Sequence, residues 1–264
     1  MRDEKRVVIV GLGEVGRPLS QLLSERYAVT GVDIDPPAQP LGQVDVLHIC
    51  YPFEIKDFVG ETARYIEKFG PTLAVINSTV GVGTTRAVAQ RTGAAMAHSP
   101  VRGKHARMLE EMRSYTKFVG GIDPATSMSV AEHFQATGLK TRILAAPEAT
   151  ELAKLTETTY FGVMIAWAQE VERYCDQTCQ SYEEVVAFYE GIPFFPTTRY
   201  FPGVIGGHCV MPNIKILRGM VSSQLLRAIE ASNEQKIERD ARIARAAKEQ
   251  QDDLQPAAPE QSRT

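Results

Sequence analysis

The run Gly11-Leu12-Gly13-Glu14-Val15-Gly16 constrains this chain more than any other stretch. It follows at once on Arg6 to Val10, a short segment rich in β-branched residues, and it leads into Pro18 to Tyr27, where Leu19, Leu22 and Leu23 recur at helical spacing. A buried strand, a glycine turn and a helix in that order belong to a parallel sheet, because glycine alone lets the backbone turn this tightly without steric cost. A second strand, Ala28 to Val32, closes on Asp33. The glycine pattern by itself is a weak signal. With a strand before it, a helix after it and an acid at the end of the next strand, it reads as a phosphate-binding turn.

Each residue of the turn then has an expected role. Gly11 and Gly13 let the backbone approach a pyrophosphate, and Gly16 lets helix and strand pack closely. Glu14 and Val15 lie where the helix offers its free N–H groups and positive dipole end. Asp33 is placed to bind both hydroxyls of an adenosine ribose, and its charge repels a 2′-phosphate, so NAD is expected rather than NADP. Tyr51, after the third strand, and Thr79, after the fourth, complete the expected cofactor-binding set.

Further strands are expected at Val44 to Cys50, Leu73 to Ile76, Ala94 to Ala97, Lys117 to Val119 and Lys140 to Leu144. Helical spacing between them marks Phe53 to Phe69, Thr84 to Arg91 and Ala125 to Thr137. Strands alternating with helices predict an α/β fold, a Rossmann-like doubly wound parallel sheet, over residues 1–146. The pattern changes after Pro147. To about Cys179 the chain is nearly free of Gly and Pro, which predicts one long helix, bent or interrupted near Gly162. A shorter helix is expected at Tyr182 to Tyr189, and a final helix from near Asn213 to at least Lys236, giving a helical domain over 147–249. Residues 250–264 are polar, carry Pro256 and Pro259, and read as a disordered tail.

Composition excludes several functions. The 264 residues carry 29 basic and 32 acidic side chains, a formal charge of −3, so no basic field exists to hold nucleic acid. No apolar run approaches the roughly 18 residues of a membrane span. The charged start has no apolar signal segment, so a cytoplasmic location without membrane contact is expected. Four cysteines fit that compartment. Cys175 and Cys179 share a helix face and read as ordinary thiols, and His48, His98, His105 and His133 lack metal spacing, so no metal is assigned.

The stretch Phe201 to Cys209 (FPGVIGGHC) is the second informative one. Glycines lead up to one thiol near the start of a helix, where nearby N–H groups can cradle an oxyanion and favour a thiolate. Cys209 is either a nucleophile or a small thiol in a structural loop. Lys154, among apolar residues of the long helix, either enters a cleft and stabilises negative charge or is a solvated helix position. His208 either assists proton transfer or only shapes the loop. Trp167 and Tyr160 lie on faces of the long helix that one sheet domain cannot cover, which predicts a homodimer.

The ordered set GLGEVGRPLS, GVDID, NSTVGVGTT, SPVRG, YTKFVGG, EATELAKLTETTYFGVMIAWAQE, FPGVIGGHC and SNEQK resembles the UDP-glucose/GDP-mannose 6-dehydrogenase family, from about Arg6 to Arg239 with gaps. The resemblance implies an NAD-dependent oxidation of the primary alcohol of a nucleotide sugar. Cys209 would attack the aldehyde and pass through a thiohemiacetal and a thioester. Lys154 would stabilise the oxyanion, and Thr79 would lie near nicotinamide and water. It also places Arg102, Lys117, Gly206, Gly207 and His208 near the substrate.

The chain departs from the family pattern at several points. Val101 stands where a glutamate is expected, Asn213 replaces an aspartate four residues after the thiol, and Thr158 replaces an asparagine. Asn213 hydrogen-bonds but is no carboxylate base. Only Ile34 to Gln43 separate Asp33 from the third strand, so a helix–strand portion of the first domain is expected to be missing, as is the family's nucleotide-gripping third domain. The expected function is therefore oxidation of a sugar alcohol that either stops at the aldehyde or ketone level or uses another group for hydrolysis. The alternatives are a β-hydroxyacid-type dehydrogenase that uses Lys154 alone, and an inactive NAD-binding protein.

Overall fold

The computed structural model describes residues 5–33, 42–103, 107–193, 198, 200–207 and 209–253, with side chains to 249. The chain divides into two compact units, Met1–Glu157 and Thr158–Thr264.

The first unit is a seven-stranded sheet. Its strands are β1 (Arg6–Val10), β2 (Ala28–Val32), β3 (Val46–Ile49), β4 (Leu73–Ile76), β5 (Met96–His98), β6 (Lys117–Gly121) and β7 (Thr141–Ile143), in the order β2-β1-β3-β4-β5-β6-β7. Strands β1 to β5 are parallel. The expectation of a wholly parallel sheet fails at β6, which pairs antiparallel to β5 through Ala97–Gly121 and His98–Gly120, while β7 again runs parallel to β6. The connection from β5 to β6 therefore starts and ends at the same end of the sheet; it carries helix α4 (Met108–Ser114), absent from the sequence expectation.

Five helices cover the two faces: α1 (Gly16–Leu23), α2 (Phe58–Phe69), α3 (Thr84–Thr92), α4 and α5 (Pro124–Gln135). Alternation along β1 sets the layers. Val7 and Ile9 join Leu19, Leu22, Leu23, Met112, Val130 and Phe134 on one side. Val8 and Val10 join Phe58, Ile66, Phe69 and Val88 on the other. Both faces of the sheet are thus buried, as the β-branched strands require. Asp57 caps α2 through Gly60 N, and Asp123 caps α5 through Thr126 N.

Helix α6 (Pro147–Thr178) runs unbroken for 32 residues and crosses from one unit into the other. The expected division at 146/147 falls at its start, whereas the contacts divide the chain about three turns later. Thr150, Glu151 and Leu155 are almost wholly buried within the first unit, and Arg86 of α3 forms a two-pronged ion pair with Glu148.

The second unit adds α7 (Tyr182–Ala187), α8 (Val210–Met220) and α9 (Gln224–Asp253). Two sequence expectations are corrected here. Gly162 does not interrupt α6; it makes room, since a methyl group there would lie 2.6 Å from Val210 Cγ1 of α8. The single final helix is two, broken at Val221, with Ser223 Oγ accepting from Leu226 N at the head of α9. Salt bridges join α6 to α9: Lys236 to Glu172 at 2.8 Å and Arg239 to Asp176 at 2.7 Å. Of the expected tail, residues 254–264 lie outside the described residues.

Candidate active site

The strand order reverses between β1 and β3, and in sheets of this kind ligands bind beyond the carboxyl ends at that point. A cavity of about 680 Å³ opens there, lined by Val10, Gly11, Asp33 and Tyr51 with residues of α2 and Arg91. Gly11 adopts φ +90°, and a methyl group on it would lie 2.7 Å from Tyr51 N, so only glycine fits. A methyl on Gly16 would fall 1.8 Å from Gly11 O, which explains the close approach of α1 to the turn. Around Gly13 a methyl would meet nothing within 4 Å. Helix α1 has Val15 at its N-cap, with no side-chain cap and no acid in its first turn. Glu14 is exposed beside Gly13. This arrangement fits a pyrophosphate on the turn and a ribose at Asp33.

Tyr51 belongs to the cavity wall, and its hydroxyl lies 2.6 Å from Thr62 Oγ1. Its carbonyl accepts from Ser78 Oγ at 2.6 Å, which ties the end of β3 to the Asn77-Ser78-Thr79 turn. Thr79 is half-buried in that turn.

Beneath it lies a set of buried polar groups that sequence reasoning missed. His98, wholly buried, lies 3.0 Å from the Ser78 carbonyl through Nε2 and 2.8 Å from Thr150 Oγ1 through Nδ1. A carbonyl can only accept, so Nε2 carries the proton and Nδ1 accepts from the threonine hydroxyl. Burial pushes the His98 pKa down to about 3. Lys117 was expected beside Arg102 as a partner for an anionic group; the structure buries it instead. Its ammonium donates to the carbonyls of Ser99 at 2.7 Å and Pro100 at 3.2 Å, and to Asn77 Oδ1 at 3.4 Å. Burial lowers its pKa to about 7. Asn77 then donates to His48, which contacts His133 at 3.0 Å. Positions 48, 77, 98, 117 and 133 meet only because β3, β4, β5, β6 and α5 are neighbours, so no local pattern announces them.

Val101 is buried, with its amide bonded to Asn77 O. Arg102 donates to Thr116 O at 2.9 Å and stacks on Tyr115 and Phe118. Lys154, one turn beyond Glu151 on α6, keeps 15% of its side chain exposed and reaches Glu157 Oε2 at 3.4 Å.

In the second unit Cys209 is exposed and forms the N-cap of α8. Asn213, one turn on, is buried and its amide bonds to Cys209 O. Gly207 has φ +77°, and a methyl on either Gly206 or Gly207 would meet nothing within 4 Å. Thr158 is buried on α6. His208 lies outside the described residues. Among those residues, no group of three His, Cys, Asp or Glu side chains is arranged to hold a metal ion, and no helix is long and apolar enough to cross a membrane.

Comparison with known proteins bears on this arrangement. Residues 148–235 match the model of the UDP-glucose/GDP-mannose dehydrogenase family, central domain. The match covers one third of the chain. The family segment contains Lys154, Thr158, Cys209 and Asn213. A UDP-N-acetyl-D-mannosamine dehydrogenase of Methanocaldococcus jannaschii is 24% identical over 78% of this chain and 60% of its own length. An NDP-N-acetyl-D-galactosaminuronic acid dehydrogenase of Ralstonia nicotianae is 24% identical over 94% of this chain and 74% of its own. The chain thus spans about three fifths of the length of the archaeal family member. The solved UDP-D-ManNAc dehydrogenase of Pyrococcus horikoshii superposes with a TM-score of 0.80 at 20% identity, covering 94% of this chain and 72% of its own, a likeness of fold.

Proposed function

We propose that this protein is an NAD-dependent oxidoreductase that oxidises a primary alcohol of a nucleotide-linked sugar and stops short of the free acid. The observation that carries the reading is the position of Cys209: a thiol at the head of α8, after two glycines with open space around them, in the family-matched segment. The substrate class follows the names of the relatives, which act on UDP- and NDP-linked amino sugars.

NAD, when bound, supplies the hydride acceptor. The chain's own residues do the rest. The Gly11–Gly16 turn and the α1 N-terminus bind pyrophosphate, and Asp33 binds the ribose and disfavours a 2′-phosphate. Glu14 and Val15 lie at that same turn, Tyr51 walls the cavity, and Thr79 lines the nicotinamide end. The Cys209 thiolate adds to the aldehyde carbon, and the Lys154 ammonium stabilises the charge that develops on oxygen. Thr158 and Asn213 supply hydrogen bonds, and Arg102, Gly206, Gly207 and His208 form the substrate side.

Valine at 101 cannot accept a proton, and the Asn213 amide cannot act as a carboxylate base. Neither can activate water for thioester hydrolysis, so a thioester formed by a second hydride transfer would stay on Cys209 and stop turnover; the reading is that the aldehyde leaves after one hydride transfer, and the oxidation is incomplete. The test is the number of NADH formed per alcohol consumed, with UDP-N-acetyl-D-mannosamine as probe. One supports the reading; two overturns its incomplete chemistry.

We also propose a homodimer in the cytoplasm, without nucleic-acid or membrane partners. Tyr160, Trp167 and Tyr174 recur every seven residues on α6, each more than half exposed, and a second copy of the chain is the proposed cover. Four reduced cysteines suit a reducing compartment.

A further inference from the structure

Residues 200–207, on the approach to Cys209, have no regular secondary structure, yet part of their backbone is held by two side chains from different helices. Asn233 of α9 pairs with Ile205 in both directions: Ile205 N donates to Asn233 Oδ1 at 2.7 Å, and Asn233 Nδ2 donates to Ile205 O at 3.0 Å. This copies the exchange between two peptide groups in a sheet. Gln169 of α6 donates to Gly203 O at 2.8 Å and to Asn233 Oδ1 at 3.4 Å. Ser232 Oγ donates to Gln169 Oε1 at 2.9 Å, which fixes the amide orientation, and Arg173 donates to Ser232 Oγ at 3.1 Å. Gln169 and Asn233 are at most 4% exposed, and so is Ile205. A buried amide pair of this kind is costly unless every partner is met, and here the partners are loop backbone.

We infer that Asn233, braced by Gln169, is a positioning residue for Cys209, and that this strap sets the reach of the thiol toward its substrate. The strap anchors the loop four residues before the sulfur. The other side is anchored by α8, whose Val210 packs on Gly162 and whose Ile214 is wholly buried. Between the anchors lie Gly206, Gly207 and His208, so a slack strap leaves the thiol on a flexible tether. The inference rests on Cys209 as nucleophile, but its test reads the thiol directly.

The experiment is timed alkylation of the intact protein by iodoacetamide, with labelling of each cysteine followed by mass spectrometry. Cys179, exposed at the end of α6 and outside the strap, is the internal reference. Asn233→Asp keeps the acceptor for Ile205 N and loses the donor to Ile205 O; Gln169→Glu loses the donor to Gly203 O. In each variant the Cys209 rate, relative to Cys179, is expected to fall about fivefold, and kcat about 100-fold with the NAD KM unchanged. An unchanged or increased ratio in folded variants overturns the inference. Should both variants fail to fold, hydrogen exchange in the unaltered chain decides. An Ile205 amide protected well beyond those of Gly206 and Gly207 supports the strap, and one exchanging with them overturns it. Full activity in Cys209→Ser would sink the nucleophile reading alone, since the alkylation ratio is independent of turnover.

Discussion

Glu151 holds Thr85 twice: its Oε1 accepts from the Thr85 amide at 2.8 Å and from the Thr85 hydroxyl at 2.7 Å. Its Oε2 accepts from Gly83 N at 2.6 Å. Helix α3 has glycine at its N-cap and no side-chain cap of its own, so a carboxylate from α6 serves instead. The same carboxylate fixes the turn of α6 that precedes Lys154. Glu151→Ala leaves buried donors unpaired and is expected to cost about 2–4 kcal/mol. Glu151→Gln, which keeps one acceptor oxygen, should cost about half of that. Urea midpoints check both, and an unchanged midpoint in the alanine variant contradicts this role.

Gly13→Ala separates binding from folding. The position has open space, so the unfolding midpoint should stay within about 1 °C. A bound pyrophosphate would meet the new methyl, and NAD affinity by calorimetric titration should fall by about tenfold or more. Unchanged NAD affinity would remove the turn from the binding site.

Acid stability carries the mark of the buried histidines. His98 is pushed down to about 3 by burial, and His48 lies well below its usual value through burial, then His133 and Lys117. Below pH 6.5 the unfolded chain takes up protons that the folded chain refuses. Stability is therefore fully present above that pH and is lost as pH falls toward 3. The loss approaches about 1.4 kcal/mol per pH unit for each such histidine. Urea titrations from pH 7 to 5 should show a declining midpoint. A flat profile would mean that these rings protonate in place.

Trp167 lies at the centre of the Tyr160–Tyr174 stripe. Trp167→Glu should convert a dimer to a monomer in light scattering with helix content unchanged. A monomer in the unaltered chain contradicts the proposed assembly.

Much of the first unit was legible because its signals are local. The glycine turn, the β-branched run before it and the helical spacing of Leu19, Leu22 and Leu23 each sit within a few residues of what they determine. The direction of β6 was not legible, because it depends on how the chain returns after Ser99. The break between α8 and α9 was hidden by apolar spacing that continues from Ile214 and Leu217 to Leu226 and Ile229; Ser223, a capping residue, is the signal that marks it. At the site, Cys209 stood out through its glycines. His98, Lys117, Glu151 and Asn233 did not, since a lone polar residue in a strand or helix gains meaning only from partners distant in sequence.

The most direct test is NADH formation at 340 nm with NAD and, in turn, UDP-N-acetyl-D-mannosamine, UDP-glucose and GDP-mannose, in the unaltered protein and in Cys209→Ser. The account predicts steady turnover with at least one of these sugars, and markedly slower turnover in the variant. Equal turnover in both proteins would contradict the thiol's role, and no NADH from any sugar despite tight NAD binding would contradict the enzyme itself.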